Sequence, residues 1–322
     1  MSRVSEENTE STEYQDDKPV TDNNNESPMT IDQSGGAGDF SDGAIIEGIL
    51  QCLEEINLGF DFTVLDVLDD ENAMPAQIEA LKDQLGTVVS TRLYIIANSV
   101  HYGKVRSGNI TKFIDVVKHL GSETTKSTAI FIALRSLAKT EELKIIFARN
   151  YATSKLSDII ARFFGLKGNT RSIVALGGLF IEMGKVLMLL YAEKEGIELG
   201  EQFIEEHYPS VGAKVIERFR LPLSLISIVD HQNFAFEKKE SLSLSAVVHM
   251  AHAVVDQSFR RYGRLVVESM MPDPEGIIYT STIGAILAGQ FQTMDLGQYI
   301  KVIPGEYSEQ EKRLLEQAKP AS

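Results

Sequence analysis

The sequence is short of cysteine, of positive charge and of long apolar runs, and each shortage excludes a class of protein. Cys52 is the only cysteine among 322 residues, so no intrachain disulfide can form. We therefore expect a reducing compartment, the cytoplasm. The formal net charge of -15 removes the broad positive field that attracts nucleic acid, so we expect no nucleic-acid partner.

The sequence also lacks an uninterrupted apolar stretch of about eighteen residues, the length that a transmembrane helix needs. The longest candidate, residues 173–192, is interrupted by Glu182 and Lys185. This pattern predicts a buried helix of a globular domain. The first residues of the chain contain no apolar core of a signal peptide. We expect no membrane partner.

The short motifs of nucleophilic and phosphate chemistry are missing too. The chain contains no Gly-x-Ser-x-Gly, no His-Glu-x-x-His and no Walker loop. Cys52 has no histidine nearby in sequence, and its spacing predicts an apolar core residue on an amphipathic helix. Nucleophilic catalysis therefore has no support in the sequence.

The acidity of the chain is concentrated at its N-terminus. Residues 1–44 contain eleven Asp or Glu residues against Arg3 and Lys18. Residues 1–42 are rich in Ser, Asn, Asp, Glu and Gly, and they cannot bury enough apolar surface to offset the conformational entropy of the chain. We predict a disordered acidic tail over residues 1–42.

After this tail, apolar residues recur at helical spacing and glycines follow several of the segments. Helices are predicted at residues 41–59, 75–85, 87–99, 109–120, 122–137, 140–164, 170–195, 211–219, 222–231 and 242–262. The single credible strand signal is at residues 276–282. The chain is therefore predicted to be all-α. We divide it into a helical lobe at 43–138, a second lobe at 139–262 and a C-terminal extension at 263–322.

Five segments, taken in order, carry a resemblance to a known family. In the first, a helix ends in Ala97-Asn98-Ser99 and an aromatic residue and a glycine follow. The others lie at residues 110–121, 178–185, 211–216 and 221–231. Together they resemble the HDOD family, bacterial signalling domains related to the HD phosphohydrolases that generally lack their metal site. The resemblance covers roughly residues 60–262, and it implies a two-lobed helical domain whose second lobe is a degenerate HD-like lobe.

At the positions of the metal ligands in the phosphohydrolases, this sequence carries other residues. Ile181-Glu182 stands where the resemblance would place His-Asp, and an isoleucine side chain has no lone pair to give a cation. Arg149 is the nearest match to an upstream histidine. His231 stands where the family often has paired histidines, and His252 where an aspartate is common. The resemblance thus implies the fold without the metal, and we expect no cofactor.

Several candidate site residues allow more than one interpretation. Glu182 and Lys185 can form a self-neutralised pair on one helical face, line a pocket for a small polar or anionic ligand, or contain a catalytic carboxylate. Asn98 and Ser99 can cap a helix, or they can contact a ligand or join the lobes, as the resemblance suggests.

Two further clusters are equally open. The basic cluster at residues 260–264 can be a solvated face or an anion contact. Scattered histidines are usually ordinary core or surface residues, but four could converge on a metal after folding: His207, His231, His249 and His252.

With the resemblance, the sequence predicts a non-catalytic protein of bacterial cytoplasmic signal transduction. Its partner would be a signalling protein, with a nucleotide or cyclic dinucleotide as a further candidate ligand. The alternative is a metal-dependent phosphohydrolase acting on nucleotides or cyclic dinucleotides. The candidate ligand- or partner-binding residues are Asn98, Ser99, Arg149, Glu182, Lys185, His231 and His252.

Overall fold

The computed structural model describes residues 29–31, 42–98, 109–230, 243–268 and 281–303. These ranges are dominated by α-helices, so the predicted all-α class is confirmed. The helices are α1 Asp42–Glu55, α2 Pro75–Gln84, α3 Gly86–Asn98, α4 Phe113–Leu120, α5 Ser122–Ser136, α6 Glu141–Phe163, α7 Gly168–Phe180, α8 Met183–Glu195, α9 Glu201–Arg218, α10 Ile226–Val229, α11 Leu244–Tyr262 and α12 Ser281–Thr293. Short 3₁₀ helices lie at Phe62–Leu68, Leu223–Leu225 and Gly297–Tyr299.

The strands form two short parallel pairs. β1 (Met29–Ile31) pairs with β2 (Ile197–Leu199), and β3 (Leu265–Glu268) pairs with β4 (Ile300–Ile303). β1 lies within the segment predicted to be a disordered tail, and the remainder of that segment up to residue 41 is outside the described residues. The predicted strand at 276–282 is also mostly outside them, but Ser281 and the residue after it begin α12.

Helix ends follow the signals in the sequence. The hydroxyl of Thr140 accepts a hydrogen bond from the backbone N–H of Leu143 at the start of α6, and the hydroxyl of Ser243 does the same for Ala246 at the start of α11. Gly196 ends α8 in the left-handed conformation, with a φ of 66°. Local capping therefore explains where these helices begin and end.

The prediction of one helix over residues 170–195 is wrong, because α7 and α8 are separate helices joined at Ile181-Glu182. Glu182 leaves the helical conformation, with φ -111° and ψ 21°. Glycines bring the two halves close to different neighbours: a Cβ on Gly178 would lie 2.5 Å from the Cα of Ser154 on α6, and one on Gly184 would overlap the backbone carbonyl of α9. The break lets each half make its own close approach.

Helix α9 starts earlier than the predicted residue 211. It runs from Glu201 and contains Pro209 in its interior. A proline lacks a backbone N–H and usually interrupts a helix, so the sequence signal favoured a later start. The partly buried residues before the proline, such as Phe203 and Ile204, and the buried residues after it belong to one helix, and tertiary packing outweighs the local cost.

The core is built around α6, which packs against α7 and α11. The ring of Phe131 on α5 contacts the rings of Phe147 and Phe180 edge to face. Cys52 is buried as predicted, and burial raises the pKa of its thiol. Helix α1 packs on α8 and α9, so it contacts elements of the predicted second lobe. The division into lobes at residue 138 stays a prediction.

The segment Gly168–Glu195 is apolar and long enough to cross a membrane on length and composition alone. Its most apolar stretch has a mean hydropathy of 2.0, and 78% of that stretch is buried inside the fold. The segment comprises α7, the break and α8. Its apolar character is accounted for by core packing.

Candidate functional site

The carboxylate of Glu182 lies at the break between α7 and α8 and is directed into the protein, with 1% of the residue exposed. Arg149 on α6 binds it with both ends of its guanidinium group. The Arg149 Nε donates to Glu182 Oε2 at 2.9 Å, and Nη2 donates to Oε1 at 2.5 Å. Such a two-pronged contact is the strongest geometry available to a carboxylate and an arginine. Both carboxylate oxygens are therefore engaged from within the chain.

Lys185 is a second cation at this carboxylate. Its Nζ lies 3.3 Å from Glu182 Oε1, so the predicted pair between these residues is present. The same ammonium group is 2.5 Å from an oxygen of Glu205 on α9 and 4.4 Å from the centre of the Tyr208 ring. Lys185 thus connects the buried carboxylate to α9.

Helix α11 completes the cluster from the other side. The Nε2 atom of His252 lies 3.6 Å from Glu182 Oε2, slightly beyond hydrogen-bonding distance. Asp256 Oδ1 lies 3.8 Å from Arg149 Nη1, and its other oxygen accepts a hydrogen bond from Arg260 Nε at 2.7 Å. A chain of alternating charges therefore runs from Glu182 to the protein surface. We call these residues the Glu182 cluster.

Charge balance in the cluster sets the protonation of its acids. Burial acts to raise the pKa of Glu182, but the imidazole of His252 and the cations Arg149 and Lys185 outweigh burial and hold that pKa well below its usual range. Burial and the charges of Glu182 and nearby Glu205 raise the pKa of Tyr208 to about 12. At neutral pH, Glu182 is ionised and Tyr208 is uncharged.

The residues present do not fit a divalent metal ion. A metal site needs three or four ligands of the His, Cys, Asp or Glu type, and the part of the chain that the structure describes contains no group of three that could serve. Glu182 supplies the one carboxylate at Ile181-Glu182, where the resemblance would place His-Asp. Arg149 binds both oxygens of this carboxylate. A guanidinium group supplies the positive charge that a cation would otherwise provide.

Two other described histidines, His249 and His207, have separate partners. His249 Nε2 lies 3.0 Å from the backbone oxygen of Ile228, and the ring of His207 lies 4.6 Å from the ring of Phe203. Neither joins His252 in a group of metal ligands within the described ranges. The interpretation as ordinary structural residues therefore accounts for both.

Asn98 ties the end of α3 to the chain that precedes α4. Its Nδ2 donates to the backbone oxygens of Tyr94 and Ile110, at 2.9 and 3.2 Å, and its Oδ1 accepts from the backbone N–H of Ile110 at 2.7 Å. All three bonds serve backbone groups near a helix end, as the capping interpretation requires.

Of the predicted candidates, the structure brings four together: Arg149, Glu182, Lys185 and His252. Asn98 has its contacts at the end of α3, and Ser99 and His231 lie outside the described residues. The sequence reasoning missed Asp256, which lies four residues after His252 and four before Arg260. That i, i+4 spacing places the three on one face of α11 and could have revealed the acid.

Comparisons with known proteins found one family model and several solved structures that are similar to this chain. The model of the HDOD domain family matches residues 62–234. A crystal structure from Shewanella amazonensis SB2B, which carries the provisional name metal-dependent phosphohydrolase, is 15% identical over 69% of this chain and 89% of that chain, with a TM-score of 0.50. An HDOD domain protein with unknown function from Geobacter sulfurreducens is 18% identical over 84% and 94%, with a TM-score of 0.42. No curated protein sequence matches the chain.

Proposed function

The chain belongs to the HDOD domain family, and on that premise we propose that it is a non-catalytic regulator of cytoplasmic signal transduction. It binds a signalling protein or a small regulatory ligand, and it relays the presence of that partner without transforming it. The observation that carries the proposal is the ion pairing of Glu182 inside the protein, at the position where the resemblance would place the aspartate of the His-Asp pair.

The chemistry of the cluster supports recognition over hydrolysis. Metal-dependent hydrolysis needs an ion that keeps one coordination position open for water. Here Ile181, which stands where the resemblance would place the histidine, is apolar and buried, and Glu182 is bound by Arg149. An arginine is protonated at all working pH values and cannot act as a ligand or a general base.

Energetics oppose replacing the guanidinium by a metal. A cation that bound Glu182 would displace Arg149 and leave a largely buried positive charge without its partner. Breaking a buried ion pair from one side costs about 3–5 kcal/mol. Metal binding would have to exceed that cost before any net affinity appeared.

The Glu182 cluster has a route to a partner. It borders an open groove of about 1020 Å³ between α6, α8, α9 and α11, and Arg149 and Lys185 line its floor. Among the more exposed charged residues that also line the groove are Glu205, Asp256 and Arg260, which we call its rim. A protein that contacts the groove through its own acids would compete with Asp256 and Glu205 for Arg260 and Lys185, so its binding would be felt at the buried carboxylate.

Metal content and hydrolysis test the proposal. The full-length chain, purified from medium supplemented with iron, manganese and zinc, is expected to contain no stoichiometric metal. It is also expected to show no cation-dependent hydrolysis of bis(p-nitrophenyl) phosphate or of a cyclic dinucleotide. Stoichiometric metal with turnover that is lost in Glu182→Gln would overturn the proposal and establish the phosphohydrolase. Turnover that persists in this variant would identify a contaminating enzyme.

A pull-down from the native cell tests the partner half of the proposal. The intact chain and a variant lacking residues 1–42 are compared as baits, with Arg260→Ala as a rim variant. A signalling protein retained by the intact chain and lost with Arg260→Ala would support the groove. Retention that depends on residues 1–42 alone would place the contact on the tail or on β1, which this variant also lacks.

A further inference from the structure

The short strand β2 (Ile197–Leu199) is a sheet edge that the fold holds in place. Gly196 ends α8 in the left-handed conformation and α9 begins at Glu201, so β2 makes up most of the connection between the two helices. Helices α8 and α9 pack against each other, which fixes both ends of the strand. Leu199 is buried, and Ile197 is partly buried against the core. The edge of β2 is therefore preformed.

The occupant of this edge is a segment of the N-terminal tail. β1 pairs with β2 in parallel, and the pairing runs from Met29 opposite Ile197 to Ile31 opposite Leu199. Between residues 21 and 39, the only Val, Leu, Ile, Met or aromatic residues are Met29 and Ile31. They are two positions apart, which is the spacing of one face of a strand. The apolar alternation in this part of the tail thus coincides with the segment that pairs.

The pairing between β1 and β2 is weak by itself. Two-stranded sheets are marginally stable in water, and neither strand pairs with a further strand in the ranges that the structure describes. Its place in the same chain favours β1, because a tether gives a segment a high effective concentration at its site. A competing segment of better chemistry can therefore replace it.

The charges next to β2 disfavour the tail. All three residues of β2 line the groove of about 1020 Å³ that borders the Glu182 cluster. Among the charged lining residues, those within five positions of β2 are the acids Glu193, Glu198 and Glu201, whereas the lining cations lie on α6, at the start of α8 and on α11. Glu26 and Asp32 lie within three positions of β1. Because like charges across a strand pair are destabilising, a segment without acids would pair better.

We propose that the edge of β2 is a binding site for an extended peptide segment, that β1 occupies this site within the chain, and that a signalling partner inserts a segment of its own in place of β1. Addition of a strand to a sheet edge is a recurring mode of peptide recognition. The partner segment has apolar residues at two alternate positions and no acids beside them. This inference deepens the proposed function, and it rests on that function in taking the partner to be a signalling protein.

Fluorescence anisotropy with a labelled peptide tests the inference. The probe is a synthetic peptide with the sequence of residues 26–34, and it is titrated with the full-length chain. The variant Thr30→Pro/Ile31→Pro removes two successive N–H groups of β1, so the donor that faces β2 is lost whichever of the two it is. The peptide is expected to bind this variant about tenfold or more tighter than the native chain, because β1 no longer competes. Equal affinity for the two chains, or no binding to the variant, overturns the proposal.

Matched controls define the contact. The variant Asn24→Pro/Asn25→Pro leaves β1 intact and should bind the peptide as weakly as the native chain. A peptide with proline in place of both Thr30 and Ile31 should not bind. A peptide with Gln and Asn in place of its two acids should bind the Thr30→Pro/Ile31→Pro chain about threefold or more tighter than the original peptide. Weaker binding of this neutral peptide would overturn the chemistry assigned to the partner segment.

A reversible cross-link locates the site. Thr30 lies opposite Glu198 in the register, so Thr30→Cys/Glu198→Cys can form a disulfide that locks β1 onto β2. The only other cysteine, Cys52, is buried. After oxidation with glutathione disulfide, the chain is expected to bind the peptide about tenfold or more weakly than after reduction. Failure of the disulfide to form, or equal binding in the two states, overturns the site on β2.

Two further outcomes are distinguishable. A dimer of the native chain that is lost in Thr30→Pro/Ile31→Pro, measured by sedimentation, would place β1 on β2 of a second copy and overturn the assignment within one chain. Absence of peptide binding together with absence of metal and turnover would overturn the site on β2 and leave the regulator standing. Metal with turnover would overturn the regulator and the signalling partner, while the titrations would still decide whether β2 binds a peptide.

Discussion

Helix α6 carries two largely buried cations, Arg149 and Lys155, about 120° apart around its axis, and the two have different surroundings. Arg149 meets Glu182 in a two-pronged ion pair that closes within the chain. Lys155 lines a cavity of about 320 Å³, and its Nζ atom lies 4.8 Å from the centre of the Tyr151 ring. The comparison shows that burial of a charge does not by itself mark a ligand site.

The difference arises from what packs opposite each cation. The break between α7 and α8 directs Glu182 toward Arg149, and Lys185 and His252 enclose the pair. On the other face, small side chains, among them Ser172 and Ala175 of α7, line the cavity without filling it. Four predictions would break or sharpen this comparison.

The largest effect is expected from Glu182→Gln. This change leaves Arg149 and Lys185 largely buried without their carboxylate, and we expect the free energy of unfolding to fall by about 3 kcal/mol or more. Urea denaturation followed by circular dichroism measures the loss. Glu205→Gln, at the half-exposed partner of Lys185, is the matched control and should cost less than about 1 kcal/mol. Equal losses would show that burial does not distinguish the two acids.

The contribution of Glu182 should also depend on pH. Because its pKa is lowered in the folded state, its stabilisation is fully present above the unfolded value of about 4.3 and is lost as the pH falls through the folded pKa. The difference in unfolding free energy between the native chain and Glu182→Gln should therefore narrow below about pH 4. Urea titrations from pH 7 to pH 3 measure it, and a difference that widens toward acid contradicts the assigned direction.

Gly178→Ala tests the close approach of α7 to α6 between the two cations. A Cβ would lie 2.5 Å from the Cα of Ser154, so the helices must separate. We expect a loss of about 1–3 kcal/mol in the free energy of unfolding. Gly289→Ala on α12 meets open space and should be neutral or stabilising by up to about 1 kcal/mol. Similar values for the two would mean that the backbone contact is not tight.

The smallest effect is expected from Asn98→Ala, because Asn98 has its contacts at the end of α3 and not at Arg149 or Lys155. The change removes hydrogen bonds that tie the end of α3 to Ile110, and because the side chain is exposed we expect a loss of about 1 kcal/mol. Thermal unfolding measures it, with Asn98→Asp as a variant that keeps the acceptor and loses the donor. A loss as large as that of Glu182→Gln would place Asn98 among the essential buried contacts.

Much of the helical architecture was predictable because it is local. Apolar spacing indicates most of the helices, and Gly196 ends α8 as predicted. The pair of Glu182 and Lys185 was also predictable, since the two residues are three apart in sequence, with Glu182 at the N-cap of α8. The break at residue 181 was not. Apolar spacing continues through the break. What separates α7 from α8 is tertiary packing, in which Gly178 and Gly184 approach different neighbouring helices.

The sequence by itself determined the helical class, the concentration of acidic residues at the N-terminus and the presence of Ile181-Glu182 where the resemblance would place His-Asp. Each of these depends on residue type or short-range spacing. Tertiary structure alone decided that Arg149 occupies both oxygens of Glu182, 33 positions away, and that Lys155 lines a cavity of about 320 Å³. The physical reason is that neutralising a buried charge depends on which groups folding brings within a few ångströms, and no local pattern encodes that distance.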